Sequence, residues 1–229
     1  WCRGFSVYLL DHRGQGLSSR VLASGGELPE SAGEETPTQY TNRGHVERFD
    51  DYVDDLAYFV EEVVPDDRPR ILLAHSMGGA IGTRLQQRSP GTFQQAVLSS
   101  PMLGVPVQFA CSTMPTLGEL AGADQYIPGG GPWIHEDRYP YRDDWGFKVQ
   151  VGWHYTGSAV RHNIWHEEFS APVSAPAGGE VDQRIGAPTY GWFEQSCAAV
   201  EQIVTDAERI DIPVLLLIAG SDTVIPRRT

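Results

Sequence analysis

Arg70-Ile71-Leu72-Leu73-Ala74 runs without a spacer into His75-Ser76-Met77-Gly78-Gly79, and Ala80 to Arg88 continue in helical style until Pro90. An apolar run, a serine and a glycine-rich helix start predict a strand–turn–helix unit. A serine placed directly between a buried strand and a helix sits on a tight, strained turn that lifts its hydroxyl above the sheet edge. Small residues are expected two before and two after it, where backbone passes close by, and Ala74 and Gly78 stand there. The first N–H groups of a helix lack intrahelical acceptors, so the Met77 N–H is a candidate donor to an oxyanion. The plainer reading, a buried serine in a glycine-rich helix start, leaves the abutting strand unexplained. Ser76 is therefore the candidate nucleophile.

Outward from this unit the chain alternates. Ser6–Leu10 (SVYLL) predicts a short buried strand, and Asp11–Ser19 (DHRGQGLSS) a sharp turn freed by Gly14 and Gly16. The third glycine of a dinucleotide fingerprint falls on Ser19, so that fingerprint is not completed. Residues 21–44 read as a surface loop. Val46, Phe49, Val53, Leu56, Phe59, Val60 and Val63 then recur at helical spacing before Pro65, with Asp50, Asp51, Asp54, Asp55, Glu61 and Glu62 predicted to form a mostly solvated face. Gln95–Ser99 predicts a third buried strand closed by Pro101, and Pro213–Ala219 a fourth. Thr189 is placed to cap a helix carrying Trp192, Phe193, Ser196, Ala199, Val200 and Ile203 on one face. Near-continuous apolar strands alternating with helices indicate an α/β fold with a mostly parallel sheet.

Between 104 and 187 the texture differs. This stretch holds 11 of the 23 aromatics, including Trp133, Trp145, Trp153 and Trp165, yet no clean strand pattern. It predicts an inserted, mainly helical cap, dividing the chain into a core part at 1–103, the cap at 104–187 and a second core part at 188–229. Gly129-Gly130-Gly131 reads as a turn within it. His162 and His166 share a helical spacing with Glu167 beside them, but the HExxH order and a third ligand are missing, so no metal site is expected.

The net charge of −13, with Lys148 the sole lysine, excludes a phosphate-binding surface for nucleic acid. No window approaches the roughly 18 apolar residues of a spanning helix. Cys2, Cys111 and Cys197 are too dispersed to predict a disulfide framework or a cysteine zinc site. The chain opens at Trp1-Cys2-Arg3 as if in mid-domain, and is expected to be a piece of a longer protein.

VYLLDHRGQGLSSR, HVERFDDYVDDL, ILLAHSMGGAI, VLSSPMLG, PTYGWFEQS and VLLLIAGSDTVI resemble the monoacylglycerol lipase and bacterial lysophospholipase branch of the α/β-hydrolase superfamily. The resemblance covers the core parts and matches the cap only weakly. It implies an α/β-hydrolase core and a serine hydrolase that cleaves lipid-like carboxylic esters through an acyl-enzyme, without a cofactor. It makes Asp222, after the fourth strand, the acid of the triad, since members follow the order serine, acid, histidine. All seven histidines (His12, His45, His75, His135, His154, His162 and His166) precede Asp222, so the catalytic histidine is expected to be absent from this chain. The second oxyanion donor is expected upstream of Trp1, and the piece alone is expected to lack appreciable turnover. Beyond a small lipid-like ester, the expected partner is a transient membrane surface, with a location in the cytoplasm or at the inner face of the membrane; oligomeric state stays open. A non-catalytic binding protein of the same fold, or a haloperoxidase-like or amidase-like hydrolase, remains an alternative.

Overall fold

The computed structural model describes residues 4–18, 43–105, 110–128, 158–170, 173–174, 180–181, 185–220 and 222. In chain order its elements are α1 (Phe49–Glu62), β1 (Ile71–His75), α2 (Ser76–Arg88), β2 (Gln95–Ser99), α3 (Ala110–Ala121), α4 (Ala159–Ser170), β3 (Val173–Ser174), β4 (Glu180–Val181), α5 (Tyr190–Thr205) and β5 (Val214–Leu217). The strand–turn–helix unit forms as read, except that the helix already includes Ser76.

β1, β2 and β5 make a parallel sheet in that order, with Leu73 beside Val97 and Val97 beside Leu215. Parallel neighbours require crossovers, and α2 supplies the one between β1 and β2. α2 lies on those two strands, and α1 and α5 pack against it. Phe49, Val53 and Val60 of α1, Ile81 and Leu85 of α2, and Val200 and Ile203 of α5 form the core between them. The apolar spacing read from sequence thus supplies the faces that meet. Thr189 caps α5 as expected, its hydroxyl accepting the Trp192 N–H at 3.2 Å.

Four expectations need correction. Ser6–Leu10, read as a buried strand, form none, and Val7 and Leu9 are exposed. A strand exists by its partner, and no described segment pairs with this one. The strands read as buried are covered far less than that: alternate residues of β2, Ala96 and Leu98, are buried, whereas Leu73 of β1 is 78% exposed and all four residues of β5 are exposed. An apolar run does not say whether one face or two are covered.

The acidic row of α1 is not simply a solvated face. Arg13 holds Asp55 through two bonds of 2.6 Å, while Asp51 is buried and shared between Arg13 and Arg48. Arg84 and Arg88 of α2 reach Asp50 and Asp54, and Arg84 also reaches Asp206 beyond α5 at 3.0 Å. Charged side chains therefore pin three elements together. Finally, Cys111 of α3 and Cys197 of α5 are joined in a disulfide across 86 residues of sequence. Spacing along the chain gives no sign of that proximity.

Within the loop predicted at 21–44, Arg43 and Gly44 are buried, Gly44 bridging to Pro188. The rest of that loop, Trp133, Trp145, Trp153, His135, His154 and Gly129–Gly131 lie outside the described residues. So do the side chains of His162, Trp165 and His166, whose backbone belongs to α4.

Candidate active site

Because β1, β2 and β5 run parallel, their C-terminal ends lie at one edge of the sheet. Ser76 leaves β1, Ser100 leaves β2, and Asp222 follows β5 by five positions. Ser76 adopts φ +49°, a left-handed conformation that side-chain-bearing residues seldom take and that costs of order 1–2 kcal/mol. That strain is what sequence predicted for a serine wedged between strand and helix. The Ser76 carbonyl accepts the Met102 N–H at 2.9 Å, which ties the turn to the segment after β2. Met77 occupies the first turn of α2, where N–H groups have no intrahelical acceptor.

The close approach expected at Gly78 falls instead on Gly79. A Cβ on Gly78 would meet only His12 Nε2, at 3.8 Å, an ordinary contact. A Cβ on Gly79 would come within 2.6 Å of Pro101 Cβ and 3.0 Å of its Cα, so this glycine lets α2 lie directly on the turn after β2.

The Asp11–Ser18 turn packs beside the elbow. Its Gly14 and Gly16 have φ +78° and +51°, and the Asp11 carboxylate fills the space a Gly16 side chain would need. Asp11 accepts the Leu17 N–H at 3.1 Å, and Arg13 anchors the turn to α1. His12 is thereby directed under α2, with its ring edge-on to Tyr52 at 5.9 Å. Burial lowers its pKa below the ordinary 6.5, against the pull of Asp55 and Asp11, and its buried Nδ1 has no hydrogen-bond partner.

This elbow and turn lie inside a match to the family model described as serine aminopeptidase, S33, which spans residues 2–130, more than half of the chain. The chain belongs to that family of α/β-hydrolases. The parallel sheet with its flanking helices is accordingly the S33 hydrolase core. Lysophospholipase L2 of Escherichia coli K12 is 35% identical over 232 residues, covering 98% of this chain and 58% of that protein. The probable lysophospholipase L2 of Haemophilus influenzae is 26% identical, over 99% of this chain and 62% of its own length. A monoacylglycerol lipase of Mycolicibacterium smegmatis is 34% identical over 125 residues, 52% of this chain and 36% of that enzyme. The S33 hydrolase chain thus spans about three fifths of the length of these lysophospholipases.

Among the described residues no histidine is hydrogen-bonded to Ser76. His75, next to it in sequence, has Nδ1 on the Ser99 carbonyl at 2.8 Å, across to β2. His45 is buried with Nδ1 2.8 Å from the Thr189 hydroxyl, which itself donates to the Gly44 carbonyl. No cluster of three metal-ligating side chains occurs among the described residues, and none of their helices is long and apolar enough to cross a membrane.

Sequence reasoning missed Ser100. It is the second left-handed serine, at φ +40°, and it stands at the end of the neighbouring strand. The one local signal is the following Pro101, which biases the preceding residue away from the right-handed helical region.

Proposed function

We propose that the full-length protein is a serine hydrolase that cleaves carboxylic esters of lipid-like substrates, lysophospholipids or monoacylglycerols, through an acyl-enzyme. The observation that carries this reading is the left-handed Ser76 between β1 and α2. A strained turn of this kind serves no packing purpose that glycine would not serve better, but it does present a hydroxyl. In the proposed cycle Ser76 Oγ attacks the ester carbonyl while its proton passes to an imidazole base. The tetrahedral oxyanion takes the Met77 N–H, the alcohol leaves with the proton, and water then hydrolyses the acyl-enzyme. Asp222 is assigned to orient the imidazole and balance its positive charge. The base is assigned to a part of the full-length protein outside these 229 residues, since all seven histidines precede Asp222 whereas the order in such triads is serine, acid, histidine. Residues 104–187 are assigned to a cap that shapes the acyl pocket.

The ester reading is drawn from the lysophospholipase relatives, which match almost the whole chain. The family model's description names an aminopeptidase and matches little beyond the first half. We place the protein in transient contact with a membrane surface, where such substrates reside. The Cys111–Cys197 bond weighs toward an oxidising compartment and against the cytoplasmic location expected from sequence.

A fluorophosphonate probe should label the full-length protein and fail to label Ser76→Ala. Hydrolysis of a lysophosphatidylcholine should exceed that of an aminoacyl p-nitroanilide. Equal labelling of parent and variant refutes Ser76 as nucleophile, and preference for the anilide refutes the ester assignment.

A further inference from the structure

The turn that leaves β2 touches both of the turns that carry proposed chemistry. Ser100 donates its N–H to the Leu217 carbonyl at 2.7 Å, at the end of β5. Its hydroxyl accepts the Ala219 N–H at 3.4 Å, three residues before Asp222. One residue later Pro101 lies on Gly79 of α2, and the next, Met102, donates its N–H to the Ser76 carbonyl at 2.9 Å. On the other flank, Ser99 gives its carbonyl to His75 Nδ1 at 2.8 Å. Four consecutive residues, 99 to 102, therefore join the backbone around Ser76 to the backbone leading to Asp222.

The conformation of Ser100 makes this double grip feasible. A residue leaving a parallel strand in extended geometry would carry the chain straight past the sheet edge. At φ +40° the chain turns back instead, so that its N–H stays on β5 while Met102 reaches β1's exit. Holding a side-chain-bearing residue in that region is unfavourable unless surrounding contacts over-determine it, and such residues cluster where geometry matters for function.

We infer that Ser100 is a positioning residue that sets the spacing between Ser76 and the Asp222 loop. This rests on the assignment of Ser76 and Asp222 above and adds a residue that no triad pattern contains. Ser100 touches no reacting atom; its hydroxyl steadies the chain at Ala219, and its left-handed backbone directs the Met102 N–H to Ser76. An acid displaced by a fraction of an ångström holds its imidazole partner less well, and misplacement of about 1 Å costs up to ~10²-fold in rate.

The test compares Ser100→Ala and Ser100→Gly in the full-length protein, alone and combined with Asp222→Asn, using p-nitrophenyl butyrate. Ser100→Ala removes the hydroxyl and keeps the backbone demand. Ser100→Gly removes the hydroxyl while accommodating the left-handed turn, so it folds even where alanine does not. Both are expected to lower kcat roughly tenfold with KM within about twofold, and with thermal melting of the glycine variant near that of the parent. On the Asp222→Asn background, where the acid no longer orients a base, the same changes should lower kcat no further. A tenfold loss that persists in full on that background, or an unchanged kcat in Ser100→Gly, overturns the inference. If Asp222→Asn alone leaves kcat unchanged, the acid assignment fails and the inference with it. If Ser76→Ala is still labelled by a fluorophosphonate, the nucleophile assignment fails independently.

Discussion

Ser76 is held at φ +49° by its surroundings rather than by preference. The parallel strand fixes its entry, α2 fixes its exit, and the Met102 N–H fixes its carbonyl. The strain should be visible as stability. Glycine adopts the left-handed region freely but loses more backbone entropy on folding, so relief of ~1–2 kcal/mol is partly offset by ~0.5–1 kcal/mol. Ser76→Gly is therefore expected to be more stable than Ser76→Ala by about 0.5–1 kcal/mol. Urea unfolding of the two variants checks this, and an alanine variant as stable as glycine would mean that the turn relaxes once the hydroxyl is gone. At this scale the sequence was informative about Ser76, because strand, serine and helix adjoin along the chain. It was uninformative about Ser100 and misdirected about Gly78, because the partners that matter, Leu217 and Pro101, come from other segments.

Among the elements, α3 is tied to the core by the Cys111–Cys197 bond to α5, alongside Val105, Ile127, Trp192 and Phe193. Closing a loop across 86 residues removes a large share of unfolded-state freedom, on the order of 4 kcal/mol in the chain-entropy view. Cys197→Ser should accordingly lower the urea midpoint substantially, and reductant should bring the parent down to the variant's midpoint. A parent whose midpoint ignores reductant, with both thiols open to alkylation before reduction, would show that the bond does not form in solution. α1 shows a related lesson. Its apolar stripe was legible from spacing, but its acidic stripe acquires meaning only from Arg13, Arg84 and Arg88, which the fold brings alongside. In helical projection a carboxylate facing water and one facing an arginine look the same.

For the molecule as a whole, two buried imidazoles couple stability to pH. Burial is the leading cause that lowers the pKa of His12 and of His45 below 6.5, in His45 against the opposing pull of Asp124 and Glu47. Both rings are thus neutral in the fold at pH values where the unfolded chain already binds protons. Stability is fully present above about pH 6.5 and falls as pH drops below it, by up to ~1.4 kcal/mol per pH unit for each ring until its folded pKa is passed. Urea unfolding between pH 7.5 and 5.5 should show this decline, and His45→Gln, which keeps a hydrogen-bonding amide for Thr189, should show a shallower one. An identical slope in parent and variant would place the proton uptake elsewhere.

The sequence by itself determined the local units: the strand–serine–helix elbow, the glycine-freed turn read at 11–19, the amphipathic α1, the Thr189 cap, and hence a parallel α/β core. Each depends on residues a few positions apart, whose steric and apolar preferences act along the chain. Tertiary structure alone decided which sheet face the helices cover, which acids meet arginines, and that Cys111 finds Cys197. It also decided that the glycine against Pro101 is Gly79, and that the exit of β2 grips its neighbours on both sides. Those outcomes depend on distances between segments tens of residues apart, which no local periodicity encodes.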